Sequence, residues 1–100
     1  MTGKIFIAST NGYCDLIIFT SLGKVIRFHE GEVRVTDRKN KGVKAFRLEE
    51  TETVTGITTA KRFTQIEDYT LAIVDEYGNI KRIDINDIPI TCRAGKGIKI

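Results

Sequence analysis

Residues 15–30 read DLIIFTSLGKVIRFHE, and residues 69–84 read YTLAIVDEYGNIKRID. Each is a pair of β-rich runs around a short turn that contains glycine: Ser21-Leu22-Gly23-Lys24 in the first, Glu76-Tyr77-Gly78-Asn79 in the second. Such a pattern predicts a β-hairpin, because glycine readily takes the positive φ that reverses a chain between two strands. The two stretches are also copies of one another. A shift of 55 residues places Leu16, Ile18, Gly23, Arg27, Thr36, Arg38, Lys41, Gly42 and Lys44 on Leu71, Ile73, Gly78, Arg82, Thr91, Arg93, Lys96, Gly97 and Lys99, without a gap. Conservative pairs lie between them: Val25 with Ile80, Phe28 with Ile83, Glu32 with Asp87, Val33 with Ile88 and Val43 with Ile98. A period of this length marks a blade, a hairpin array or a solenoid unit.

Outward from the hairpins, KIFIAST (4–10) and TVTGITTAKRF (53–63) offer each copy an upstream strand, and GVKAFRL (42–48) and GIKI (97–100) a last one. The expectation is an all-β chain of two propeller-like blades, each of about four antiparallel strands. It forms a single domain over residues 1–100, with repeat 1 at about 1–53 and repeat 2 at about 54–100. EGEVRV (30–35) and NDIPI (86–90) interrupt the strand pattern, and Pro89 cannot donate to a ladder, so these stretches belong in crossing loops or at an edge. RLEETET (47–53) reads as a polar connector.

Composition bounds the function. With 100 residues, 41% of them hydrophobic, and a formal charge of +3, the chain fits one small globular domain with a modest core. No apolar run approaches the roughly 20 residues of a membrane helix, and MTGKIFIAST lacks the apolar core of a signal peptide, so no membrane partner and a cytoplasmic location are expected. Cys14 and Cys92 stand far apart, without a Cys-x-x-Cys, beside a lone histidine, His29. Both read as free thiols, with no metal site, no catalytic residue and no cofactor implied. His29 reads as a surface residue at a strand end.

Charge is uneven. From Arg34 to Arg47 the basic residues Arg34, Arg38, Lys39, Lys41, Lys44 and Arg47 face the single acid Asp37, and the second copy adds Lys81, Arg82, Arg93, Lys96 and Lys99. Acids collect in the connector (Glu49, Glu50, Glu52) and around the second hairpin (Glu67, Asp68, Asp75, Glu76). With equivalent loops on one side, Arg34, Arg38, Lys39, Lys41 and Lys44, joined by Arg93, Lys96 and Lys99, form a stripe suited to a phosphate backbone. Solvation of loops is the alternative use of such charge. Gly42, Gly95 and Gly97 would let backbone approach a charged ligand, while Gly42 and Gly97 equally suit a turn or bulge entering a last strand. Arg27 and Arg82 are open between a cross-strand ion pair and a nucleic-acid contact.

The succession of apolar hairpin, glycine turn, Lys-x-x-Arg-Phe, short acidic link and Arg-x-x-Lys-Gly-Val resembles the repeat of the C-terminal domain of the gyrase A family, which comprises DNA gyrase and its topoisomerase IV counterpart. Residues 16–48 and 70–100 carry the likeness best, and the strand at 54–64 is compatible, so it covers most of the chain. The resemblance implies a β-pinwheel whose blades exchange strands, a basic rim that wraps duplex DNA, and catalysis confined to other domains of a type IIA topoisomerase. It implies duplex DNA and other topoisomerase subunits as partners. In gyrase this domain carries one loop of the pattern Gln-Arg-Arg-Gly-Gly-Lys-Gly. TCRAGKG (91–97) matches it at Arg93, Gly95, Lys96 and Gly97 and departs at Thr91, Cys92 and Ala94; TDRKNKG (36–42) keeps Arg38, Lys41 and Gly42.

A phosphate-binding P-loop would need Ser or Thr after Gly-Lys and a helix beyond it; here Gly97 and Ile98 follow Lys96. The remaining rival is a propeller-like module for an acidic protein or RNA. Two repeats are few for such a ring. A fragment, a homo-oligomer completing a ring, and a two-blade unit closed by exchange with itself are all compatible with this sequence.

Overall fold

A computed structural model of the chain describes residues 3–61, 70–89 and 95–96. Both hairpins form where the repeat predicts them. β2 (Cys14–Thr20) pairs with β3 (Val25–His29) in the register Asp15↔His29 to Phe19↔Val25. β7 (Thr70–Asp75) pairs with β8 (Asn79–Asp84) from Thr70↔Asp84 to Val74↔Ile80. Gly23 (φ 79) and Gly78 (φ 86) turn the chain, their N–H groups donating to Thr20 O and Asp75 O at 3.1 Å. The equivalence continues past the strands. Glu30–Glu32 and Ile85–Asp87 each form one 3-10 turn, capped by His29 Nδ1 and Asp84 Oδ1, which accept from the N–H of Gly31 and Asn86. These turns are the interruptions expected at EGEVRV and NDIPI, and they account for His29 at its strand end.

Each hairpin is completed by chain from the other copy. β1 (Ile5–Thr10), upstream of the first hairpin, lies antiparallel to β7 of the second, whereas β6 (Val54–Lys61), upstream of the second hairpin, lies antiparallel to β2 of the first. Beyond the first hairpin, β4 (Val35–Thr36) and β5 (Val43–Lys44) both pair with β8. The described sheets are therefore β1-β7-β8-β4, with β5 also on β8, and β3-β2-β6.

Two details depart from the expectation of antiparallel, four-stranded units. β4 runs parallel to β8, because the chain leaves β3 through a 3-10 turn and crosses to the other sheet instead of folding back beside its own hairpin. The strand expected over 42–48 keeps only Val43 and Lys44, since Ala45, Phe46 and Leu48 turn off the edge to cover the core. GIKI (97–100) lies outside the described residues.

The sheets stack face to back. Leu16 and Ile18 of β2 meet Ala72 and Val74 of β7 and Ile80 of β8, with Val33, Val54, Phe6, Phe28 and Ile57 around them. Burying a side chain such as Leu16 is worth about 1.5–3 kcal/mol. The 55-residue shift aligns Leu16 with Leu71, so the second sheet meets the first with its opposite face. Ile17 and Phe19, the counterparts of Ala72 and Val74, lie on the outside, where Phe19 is 38% and its partner Val25 60% exposed. No helix among the described residues is long and apolar enough to cross a membrane.

Candidate nucleic-acid interface

The first Arg-x-x-Lys-Gly segment is an arc between two anchors on one strand. Val35↔Arg82 and Thr36↔Ile83 hold its entry, and Val43↔Ile80 and Lys44↔Asn79 hold its exit. Local turns set the path between them. Asp37 Oδ1 accepts from Lys39 N at 2.9 Å and Asp37 O from Asn40 N at 3.2 Å; Asn40 Oδ1 then accepts from Gly42 N at 2.8 Å. Gly42 has φ 86, a conformation that favours glycine, and it leads into β5 as a turn glycine does. Across the arc, Asp87 Oδ2 accepts from Arg38 N at 3.1 Å, and the Thr36 hydroxyl donates to Arg82 O at 3.4 Å.

Lys81 supports the arc from beneath. Its Nζ donates to Arg38 O at 2.7 Å and to Asn40 O at 3.0 Å, and the residue is only 2% exposed. Burial holds its pKa below the ordinary lysine value, while the charge of Asp37 opposes that shift. With these carbonyl oxygens turned inward, the charged side chains face out. Arg34, Lys39, Lys41 and Lys44 are exposed and Arg38 is half-buried. Lys44 Nζ also donates to Tyr77 O at 3.1 Å. Among the described residues, no carboxylate forms a salt bridge with any of these five. The recess beneath the arc, about 50 Å³ and lined in part by Arg34, Asn40, Gly42 and Lys81, is far below the roughly 300 Å³ of a small-molecule site. A ligand of this loop therefore lies on its surface.

The acids outside the arc are engaged elsewhere. Glu52, in the connector, is buried: Oε2 accepts the Thr20 hydroxyl at 2.5 Å and Oε1 accepts Glu49 N at 3.0 Å, which holds its carboxyl below the ordinary range. Lys24 pairs with Glu49 at 3.2 Å on the same side. Both arginines left open by sequence form ion pairs. Arg27 Nη2 lies 2.8 Å from Asp15 Oδ2, and Arg82 Nη1 lies 3.1 Å from the buried Glu30 Oε2. Among the described residues no cluster of His, Cys, Asp or Glu could hold a metal ion. Cys14 is buried, and its thiol donates to Asn11 Oδ1 at 3.0 Å.

Of the second segment, Gly95 and Lys96 are exposed; Arg93, Gly97 and Lys99, like Cys92, lie outside the described residues. Lys81 and Asp87 are the supports that a reading of charge alone misses. The signal for Lys81 was its repeat counterpart, Ile26, an apolar residue at the same strand position.

A family model described as the DNA gyrase C-terminal domain, beta-propeller, matches residues 15–61 and 78–100. The DNA gyrase A protein of Staphylococcus aureus is 37% identical over 95 residues, covering 95% of this chain and 10% of that protein. Its counterpart in Haloquadratum walsbyi is 36% identical over 89 residues, covering 89% of this chain and 10% of that protein. The chain thus spans about a tenth of the length of the curated relatives it matches. No solved structure matches it significantly. The first matched segment runs from Asp15 of β2 to the end of β6 and the second begins at Gly78 in the turn before β8, so the likeness takes in the first hairpin, strand β8 of the second and both basic segments: the chain belongs to the DNA gyrase C-terminal domain family.

Proposed function

We propose that this chain binds duplex DNA through the phosphate backbone, without sequence preference, using Arg34, Arg38, Lys39, Lys41 and Lys44 of the first basic segment and Arg93, Lys96 and Lys99 of the second. The family is a non-catalytic, DNA-binding part of gyrase A, and the partners in this reading are duplex DNA and the remainder of a type IIA topoisomerase. The observation that carries it is the arc at 37–42, an exposed basic surface whose carbonyl oxygens are drawn inward by Lys81. The amides of Arg38, Lys39, Asn40 and Gly42 already donate within the protein. Contact with phosphate therefore falls to mobile side chains rather than to a backbone cradle. Side chains of this kind fix position and read no bases.

Two such segments would neutralise on the order of four to six phosphates, a slope of log affinity against log salt of roughly −4 to −5. Bending a 20–30 base-pair site by 40–90° costs about 1–6 kcal/mol, so a single chain bends DNA weakly. The test is a salt titration of the wild type and of the double variant Lys41→Ala/Lys96→Ala on two unrelated duplexes, with RNA and heparin as competitors. The variant weakens binding to both duplexes equally and flattens the slope by up to roughly 2 units. Loss on one duplex only, or preference for RNA or heparin, removes the DNA backbone as the partner.

A further inference from the structure

We propose that Lys81 is the positioning residue of the basic loop: by donating to Arg38 O and Asn40 O it holds Lys39 and Lys41 on the outer surface, and so sets affinity for phosphate without touching DNA. This rests on the loop being the DNA contact.

The geometry separates this lysine from those around it. Lys81 sits on β8 between Ile80, which pairs with Val43, and Arg82, which pairs with Val35. It is therefore central beneath the arc whose two ends are anchored on the same strand. Two carbonyl oxygens two residues apart converge on one ammonium, at 2.7 and 3.0 Å. That convergence is possible only if the peptides of Arg38 and Asn40 both face the sheet, and the exposed Lys39 and Lys41 then lie on the solvent side. Of the arc's other bonds, that of Thr36 to Arg82 O lies at its entry, the turns of Asp37 and Asn40 run along it, and Arg38 N donates to Asp87 on the 3-10 turn that follows β8 rather than to the strand. Among the described residues, Lys81 is the tie from the middle of the arc down to the strand.

The cost of burying an ammonium argues that the position is used. Desolvation lowers its pKa, the sign of a charge that a neutral side chain would spare the fold. Ile26, at the equivalent position of β3, shows that the repeat builds this strand with an apolar residue there. Without Lys81, β4 and β5 still pair with β8, so the sheets persist while the arc loses its inward hold.

The experiment uses the full chain with Lys81→Met, which keeps the apolar stem, Lys81→Gln, which reaches fewer carbonyls, and Lys81→Arg, which can still donate to both. Unfolding midpoints are measured alongside, so that affinity refers to folded protein. Lys81→Met lowers affinity for a duplex about tenfold, the order expected of losing a hydrogen bond from a charged group, with the salt slope unchanged. Lys81→Arg recovers most of it. In the free protein, amide exchange at Lys39 to Gly42 accelerates in Lys81→Met while amides of β2 and β7 keep their protection. Should the methionine variant fail to fold, Lys81→Gln is read in the same way. A slope flattened by about 1 unit would make Lys81 a direct phosphate contact and overturn the proposal. Unchanged affinity and unchanged loop exchange overturn it too. If the wild type binds no duplex, it is the DNA reading that fails, and exchange in the free protein still decides whether Lys81 holds the arc.

Discussion

Arg82 of the second hairpin reaches Glu30, next to the first: Nη1 lies 3.1 Å from Oε2, with Glu30 wholly buried and its Oε1 accepting Cys14 N at 3.0 Å. One carboxylate thus ties the end of the first sheet to the face of the second. The repeat counterpart of this arginine, Arg27, pairs instead with Asp15 and is 59% exposed in its side chain.

The same residue type at the same repeat position therefore carries different weight. Arg82→Ala leaves a buried carboxylate without its cation and costs about 3 kcal/mol or more. Arg27→Ala takes a mostly exposed arginine from the buried Asp15 and is expected to cost less than Arg82→Ala. Urea unfolding of the two variants checks the contrast, and equal costs would count against it.

The two turn glycines, by contrast, carry similar weight. Both Gly23 and Gly78 have positive φ, so alanine at either costs roughly 1–2 kcal/mol. A Cβ at Gly23 meets open space, whereas one at Gly78 meets Leu48 Cδ1 at 3.4 Å and Phe46 O at 3.5 Å. Those distances are ordinary van der Waals contact, so Gly78→Ala and Gly23→Ala are expected to lower the thermal midpoint by similar amounts, both through φ, and a much larger loss at Gly78 would count against this.

Acid sensitivity has an identifiable source in Glu52. Its folded pKa is lowered, chiefly by the Thr20 hydroxyl and then by Glu49 N, relative to the ordinary 4.5. A depressed carboxyl contributes stability that is present above its unfolded pKa and lost as pH falls through the folded one. Glu52→Gln is expected to flatten the fall of the urea midpoint below about pH 4.5 and to lower stability near neutrality. Parallel curves for variant and wild type would assign the acid loss to other groups.

Removing residues 1–10 takes β1 from the edge of β7 and Phe6 from beside Val74, its cross-strand neighbour. Because Val74 and Ala72 also form the surface on which Leu16 and Ile18 pack, both sheets lose structure together. The expected outcome is loss of the dispersed amide spectrum throughout, rather than a folded first hairpin beside an unfolded second.

Much of this was legible from residue order. The hairpins, their glycine turns, the breaks at 30–32 and 85–87 and the exposed lysines of the first loop follow from apolar alternation, glycine and charge. Other features were not. TLAIVD is apolar on both faces, so nothing in it says that Ala72 and Val74, rather than Leu71 and Ile73, meet the first sheet. β4 pairs through two residues only, too few to leave a pattern. The inward turn of the loop carbonyls depends on Lys81, whose charge alone suggests a surface residue. Arg82 was open between an ion pair and a DNA contact because Glu30 is distant in sequence.

The reciprocal exchange of β1 and β6 bears on when each strand can find its partner as the chain is made. Ile5 pairs with Asp75, so β1 stays without this ladder until the second hairpin has emerged. Pairings this distant in sequence close slowly, and an apolar strand waiting with free edges is open to wrong partners. β6 meets β2 much earlier, since Cys14 pairs with Lys61. The three-stranded sheet can assemble first and serve as the platform on which Ala72 and Val74 land, and β1 joins once β7 is in place.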